Sequence, residues 1–306
     1  MDTLPSLFIS HGSPMIALEP REAGAFLQRL GPAIDATFGR PRAIVALSAH
    51  SLAPTLPSPG RPKAAALPLG GWARSDQGQT SSPVLIAGAR HEAIYDFGGF
   101  PDELYTLRYD APGAPALADD VQRLLANAGI AAHRVDDGGL DHGIWTPLRY
   151  IYPDADVPVL PLAWVPSQSP AQQFALGQAL APLRRDGVLV MGSGSITHNL
   201  RRVFANGGRT PADAPEIPES AAFRRWLAEH AAALDWDALF DYRRQAPHAA
   251  DMHPTDEHLL PWFIAAGAGG RDAVPLRLHA SLTFGSLGMD TYAFGEAAER
   301  LERALQ

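Results

Sequence analysis

The chain has 306 residues, of which 46% are hydrophobic and 19% charged, and its formal net charge is −8. This is a globular composition with enough apolar material for a sizeable core, and without a basic excess to neutralise phosphates it excludes a nucleic-acid binder. Cysteine is absent, which removes disulfides, thiolate nucleophiles and Cys-held zinc or iron–sulfur sites together, so any metal must be held by imidazole and carboxylate.

Met1-Asp2-Thr3-Leu4-Pro5 leads directly into a short apolar run, with no basic stretch ahead of a long apolar one. No apolar run approaches the length of a membrane span, so a cytoplasmic enzyme without membrane attachment is expected. In chain order, the pattern predicts a strand over 6–10, a helix over 23–30 and a strand over 43–48. A Pro-, Gly-, Ser- and Ala-rich loop is expected over 53–90. A helix over 115–128 follows, supported by the spacing of Leu117, Val121, Leu124 and Leu125, then strands over 130–135 and 157–163. Next come a helix over 171–183, a strand over 188–191, a second long loop over 204–218, and helices over 220–233, 255–266 and 295–305. Alternation of this kind predicts an α/β fold, a single domain over 1–306 with a central mixed or largely parallel sheet flanked by helices. The strands over 43–48 and 188–191 are almost continuously apolar, as strands covered on both faces should be.

The positions of the histidines carry the chemistry. His11 ends the strand in Leu7-Phe8-Ile9-Ser10-His11-Gly12-Ser13-Pro14, and His50 ends the one in Ile44-Val45-Ala46-Leu47-Ser48-Ala49-His50. His198 follows the strand through Gly192-Ser193-Gly194-Ser195-Ile196-Thr197. Ligands of open α/β sheets bind outside the carboxyl ends of strands, so three histidines there predict a shared site. In His253-Pro254-Thr255-Asp256-Glu257-His258, Thr255 is a candidate N-cap and His258 would project from the first helical turn. His253 is either a substrate contact or a loop residue. In Asp141-His142-Gly143-Ile144-Trp145, Asp141 could orient a ring and Trp145 offers an apolar wall. His91, His133, His230, His248 and His279 read as solvated or structural.

Imidazole suits iron, zinc, copper and nickel, whereas magnesium and calcium prefer oxygen. His11, His50 and His258 fit either non-haem Fe(II) with open positions or catalytic zinc with an activated water. Competing motifs are poor. Gly12-Ser13-Pro14 and Gly192-Ser193-Gly194-Ser195 lack phosphate-loop spacing and a following lysine, and neither is a nucleophile elbow. The Gly-Ser run is expected to serve close backbone turns.

Taken together, Ser10-His11-Gly12-Ser13-Pro14-Met15, Ser48-Ala49-His50, Tyr95-Asp96-Phe97-Gly98-Gly99-Phe100-Pro101 and Tyr109-Asp110-Ala111-Pro112-Gly113 resemble the class III extradiol ring-cleavage dioxygenases. So do Asp141-His142-Gly143-Ile144-Trp145, Thr197-His198-Asn199-Leu200, Pro254-Thr255-Asp256-Glu257-His258 and Gly285-Ser286-Leu287. Within that family the chain is similar to the DOPA-4,5-dioxygenase-type branch, related to the catalytic subunit of protocatechuate 4,5-dioxygenase. The resemblance implies a mononuclear metal, Fe(II) or alternatively Zn(II), held by His11, His50 and His258. It implies active-site roles for His198 and His142; Ser13 and His253 are the residues expected at the substrate. Because the protocatechuate enzymes use a glutamate as third ligand, Glu257 and His258 both stand open for that role, and His198 could touch the metal when zinc is bound. Ser51 stands where an aromatic residue often follows the Ser-Ala-His element, and the 53–90 segment is longer than the branch usually carries.

The implied reaction is extradiol cleavage of a catechol-type aromatic by O₂, with His198 as base for a catechol hydroxyl and then as acid. The alternatives are a zinc-dependent hydrolase or lyase on the same ligands, and a non-enzymatic protein binding metal or small aromatics on this scaffold.

Overall fold

The computed structural model describes residues 2–53, 82–205 and 210–306. Its first half contains β1 (Ser6–Ser10), α1 (Arg21–Phe38), β2 (Ala43–Ser48), β3 (Val84–Ile86), β4 (Arg90–His91), β5 (Ala111–Pro112), α2 (Pro115–Asn127), β6 (His133–Val135) and α3 (His142–Ile151). The middle adds β7 (Val159–Ala163), α4 (Pro170–Leu180), β8 (Val188–Gly194), α5 (Leu200–Val203) and α6 (Pro218–Ala232). Short helices α7 (Trp236–Phe240), α8 (Tyr242–Gln245) and α9 (Ala249–Met252) precede α10 (Leu260–Gly269). The chain closes with β9 (Leu276–His279), β10 (Leu282–Thr283), β11 (Leu287–Gly288), β12 (Thr291–Phe294) and α11 (Ala298–Leu305).

Eight strands form one mixed sheet in the order β6-β3-β7-β2-β8-β1-β12-β9. Strands β7, β2, β8 and β1 are mutually parallel, while β12 and β9 extend the sheet antiparallel beyond β1. Alternation along the central strands separates two cores. Phe8, Val45, Leu47 and Val190 face a core built with α2, α4, α6 and α10. Leu7, Ile9, Ile44, Ala46, Leu189 and Met191 face one built with α1, α3 and α11. Helix α10 is buried along its whole length, consistent with its apolar character on every side. The expected α/β domain is therefore the observed one. No helix of the described residues is long and apolar enough to cross a membrane.

Several local expectations differ. The helix expected over 255–266 begins only at Leu260, so His258 stands in the turn before it. Thr255 does not cap, because its hydroxyl donates to the Glu257 carboxylate (2.8 Å), and the helix starts where Pro261, with no N–H to satisfy, occupies the first turn. Helix α1 runs through Gly31 and Pro32 to Phe38, since burial of Ile34 and Phe38 continues its apolar face. Strand β3 lies inside the loop expected over 53–90, and residues 54–81 of that loop lie outside the described residues, as do 206–209 of the second. Of the two readings open for His91, solvated or structural, its full burial leaves the structural one.

Candidate metal centre

Strands β2, β8 and β1 are neighbours and parallel, so their carboxyl ends open on one edge of the sheet. The end of β8 is the frame to which the other segments are tied. Gly194 O accepts from His11 N, Ser193 O accepts from Ala49 N, and Ser195 N donates to His258 O, each at 2.9 Å. This last approach requires glycine, because a Cβ at Gly194 would lie 2.0 Å from the His258 carbonyl oxygen. The Gly-Ser run thus serves close backbone contact, as its composition suggested.

The rings carried by this frame converge. The ligand atoms of His11, His50 and His258 lie within 4.8 Å of one another, and the Nε2 atoms of His11 and His50 are 3.2 Å apart. Nitrogens that close match two ligands of one ion, at metal–nitrogen distances of about 2.0–2.1 Å. Burial first, and the neighbouring imidazoles second, hold all three rings well below the ordinary histidine pKa. They are therefore neutral, the form a metal requires.

The tautomer of His11 is set by a relay. Pro147 sits inside α3 and has no N–H, which leaves the Gly143 carbonyl without its helical donor. Ser193 Oγ donates to that carbonyl at 2.5 Å. Its single proton spent, Ser193 can only accept from His11 Nδ1–H, 2.9 Å away. His11 Nε2 is left bare and turned toward His50. A second group holds another imidazole. Asp96 Oδ1 accepts from both the backbone N (3.0 Å) and Nδ1 (2.9 Å) of His142, which opens α3, and Oδ2 lies 3.8 Å from His50 Nδ1. Burial would raise the Asp96 pKa, but the hydrogen bonds and charges of the two histidines outweigh it and hold it low.

Asp96 was not singled out from sequence, since it lies in a loop with no periodic signal and only its Asp-Phe-Gly-Gly context marked it. The ring-orienting carboxylate is Asp96 and not Asp141. Asp141 Oδ2 accepts from Ser51 Oγ at 2.5 Å, and burial, aided by Asp96, pushes its pKa up to about 6. Trp145 is likewise buried away from the site, donating to Ile94 O (3.1 Å), and the apolar wall beside His142 is Phe97, 5.6 Å between ring centres.

His198 stacks on His258, 3.5 Å between ring centres and 7° from parallel. Its backbone N donates to Met252 O at 2.8 Å, and burial with His253 beside it pushes its pKa down to about 4. Glu257 Oε1 accepts from Thr255 and lies 3.3 Å from His258 Nδ1. Among the described residues, the groups of three that could hold an ion are His11–His50–His258 and His50–Asp96–His142, neither of which includes Glu257 or His198. His253 is fully buried, its ring nitrogen Nε2 is 2.8 Å from Ile196 O, and it does not line the cavity. Ser13 does line it, while its hydroxyl accepts from Met15 N.

His50, His142, His198 and His258, with Ser13, Asp96 and Glu257, form the polar part of a cavity of about 370 Å³. This is the size of a small-molecule pocket, roughly 300–1,000 Å³.

Residues 5–295 match the family described as the catalytic LigB subunit of aromatic ring-opening dioxygenase. Among curated proteins, the chain is 34% identical to 4,5-DOPA dioxygenase extradiol of Beta vulgaris, over 94% of this chain and 96% of that protein. It is 32% identical to the protein of the same name from Escherichia coli K12, over 95% of each. Among solved structures, an uncharacterized protein from Escherichia coli K12 superposes with a TM-score of 0.68 at 26% identity, covering 95% of this chain and 100% of that one. With a His-rich centre at the mouth of the sheet and a family match over nearly its whole length, the chain belongs to the LigB family of metal-dependent aromatic ring-opening dioxygenases.

Proposed function

We propose that the protein opens the ring of a catechol-type substrate with O₂ beside the diol, at one Fe(II) held by His11, His50 and His258. Extradiol cleavage is the chemistry its family and relatives support. The observation that carries the ligand assignment is the convergence of three neutral imidazoles within 4.8 Å of one another, two of which, His50 and His258, line a cavity that two further histidines also wall. Their geometry and protonation fit a divalent ion. Fe(II) would bring catechol and O₂ into one coordination sphere and make the phenolic proton easier to remove.

The surrounding side chains hold or move protons. His198, with its pKa near 4, is neutral at pH 7 and takes the proton of a catechol hydroxyl, then returns it as an acid. Its stacking on His258 supports this role, since it keeps the His198 ring against one of the proposed ligands. His142, with Nδ1 committed to Asp96, keeps Nε2 for a hydrogen bond to substrate or oxygen. Glu257 supports His258 from behind as a hydrogen-bond acceptor, which favours His258 over Glu257 as the third ligand. His253 supports the 196–198 segment through Ile196 and is not a substrate contact in this reading.

The test is anaerobic reconstitution with Fe(II) or Zn(II), followed by addition of catechol and O₂. Ring-fission absorbance with stoichiometric O₂ uptake in the iron form alone is the expected result. Oxygen uptake without ring fission, or activity equal with zinc, contradicts it.

A further inference from the structure

We infer that the substrate is a catechol bearing an apolar substituent, in preference to one bearing a carboxylate. This rests on the ring-cleavage reading of the same cavity. The polar side chains of the cavity gather at the imidazoles, whereas the rest of its wall is apolar: Phe97, Phe100, Leu200, Val203, Phe204 and Leu287 all line it. Two of the three exposed large hydrophobic residues among the described ones, Leu200 (47% exposed) and Phe204 (59%), stand on this wall. Exposed apolar side chains gathered at a cavity mark a binding surface for apolar groups.

Both carboxylates that reach the wall are already engaged, Asp96 by His142 and Glu257 by Thr255 and His258. Among the described residues, the wall carries no arginine or lysine. A diol bound at the imidazoles therefore sends its ring substituent along phenylalanine and leucine, where a carboxylate loses hydration and finds no cation among the described residues to offset the loss. At about 370 Å³ the cavity also leaves room beyond a bare catechol. Each methylene buried there is worth about fourfold in binding, the equivalent of about 0.8 kcal/mol.

The experiment compares 4-propylcatechol with 3-(3,4-dihydroxyphenyl)propanoate, ligands of equal reach that differ in a terminal methyl or carboxylate. Turnover of unsubstituted catechol by the Fe(II) protein reports on the ring-cleavage reading by itself. The inference predicts kcat/KM at least tenfold higher for the propyl compound, and the same ranking in anaerobic calorimetric titrations of the metal-loaded protein, which need no turnover. Equal or reversed ranking in the titrations overturns it. In Leu200→Arg, with folding checked by circular dichroism, the ratio should move at least tenfold toward the carboxylate. A folded variant with an unchanged ratio overturns the placement of the substituent on this wall.

Discussion

Ser193→Ala breaks the relay that fixes the His11 tautomer. The serine accepts from His11 Nδ1 at 2.9 Å and donates to Gly143 O at 2.5 Å, and all three residues are buried. Alanine leaves a ring N–H and a carbonyl unpaired in the interior, each costing about 1–3 kcal/mol, so the metal-free protein should lose about 2–4 kcal/mol in urea unfolding. The carbonyl cannot recover a helical partner, because residue 147 is proline. With its second hydrogen bond gone, His11 can place its proton on Nε2, the atom that faces His50. Loss of such an outer partner weakens a metal site by about 10- to 100-fold. Competition with a chelator under anaerobic conditions measures this directly. A variant that loses stability but binds metal within twofold of the parent refutes the relay and reduces Ser193 to a packing residue.

Asp96→Asn can keep Oδ1 as the acceptor for both His142 donors but removes the charge shared with His50. Turnover should fall about 10- to 100-fold with metal content retained, and unchanged kcat would count against Asp96 as a positioning residue. Gly194→Ala places a Cβ 2.0 Å from the His258 carbonyl, so the 258 segment must move; a loss of more than about 3 kcal/mol together with weakened metal binding is expected in the same two assays. Asp141→Asn tests a pH dependence. The Asp141 carboxyl rises to about 6 in the folded chain from an ordinary 3.8, so the folded state binds the extra proton. Stability is lost as pH rises through that window, up to about 3 kcal/mol in all. Asparagine should therefore gain stability over the parent between pH 5 and pH 7, and a difference independent of pH would contradict the assignment.

What could be read in advance followed from signals that local sequence carries. The apolar runs before His11 and His50 are strands because two cores cover them, and placing histidines at their carboxyl ends needed only the topology of a parallel sheet. Helix α3 was hidden because Gly143 and Pro147 both argue against a helix. Tertiary packing of Ile144, Trp145 and Leu148 overrides them, and the proline's missing N–H is put to use by Ser193. The antiparallel edge of β12 and β9 is four residues in each strand, too short for periodicity to distinguish from loop. The Asp96 and Ser193 contacts join residues 46 and 182 positions from their histidines, and no pattern within either segment encodes the partner. His258 was expected on a helix and stands before one, but Gly194 fixes it through the backbone all the same.

The most direct test of the centre is anomalous diffraction from crystals grown anaerobically with Fe(II). One peak is expected about 2.0–2.2 Å from a ring nitrogen of each of His11, His50 and His258, with Glu257 outside the coordination sphere. A peak between His50, Asp96 and His142, or one coordinated by Glu257 in place of His258, would contradict it.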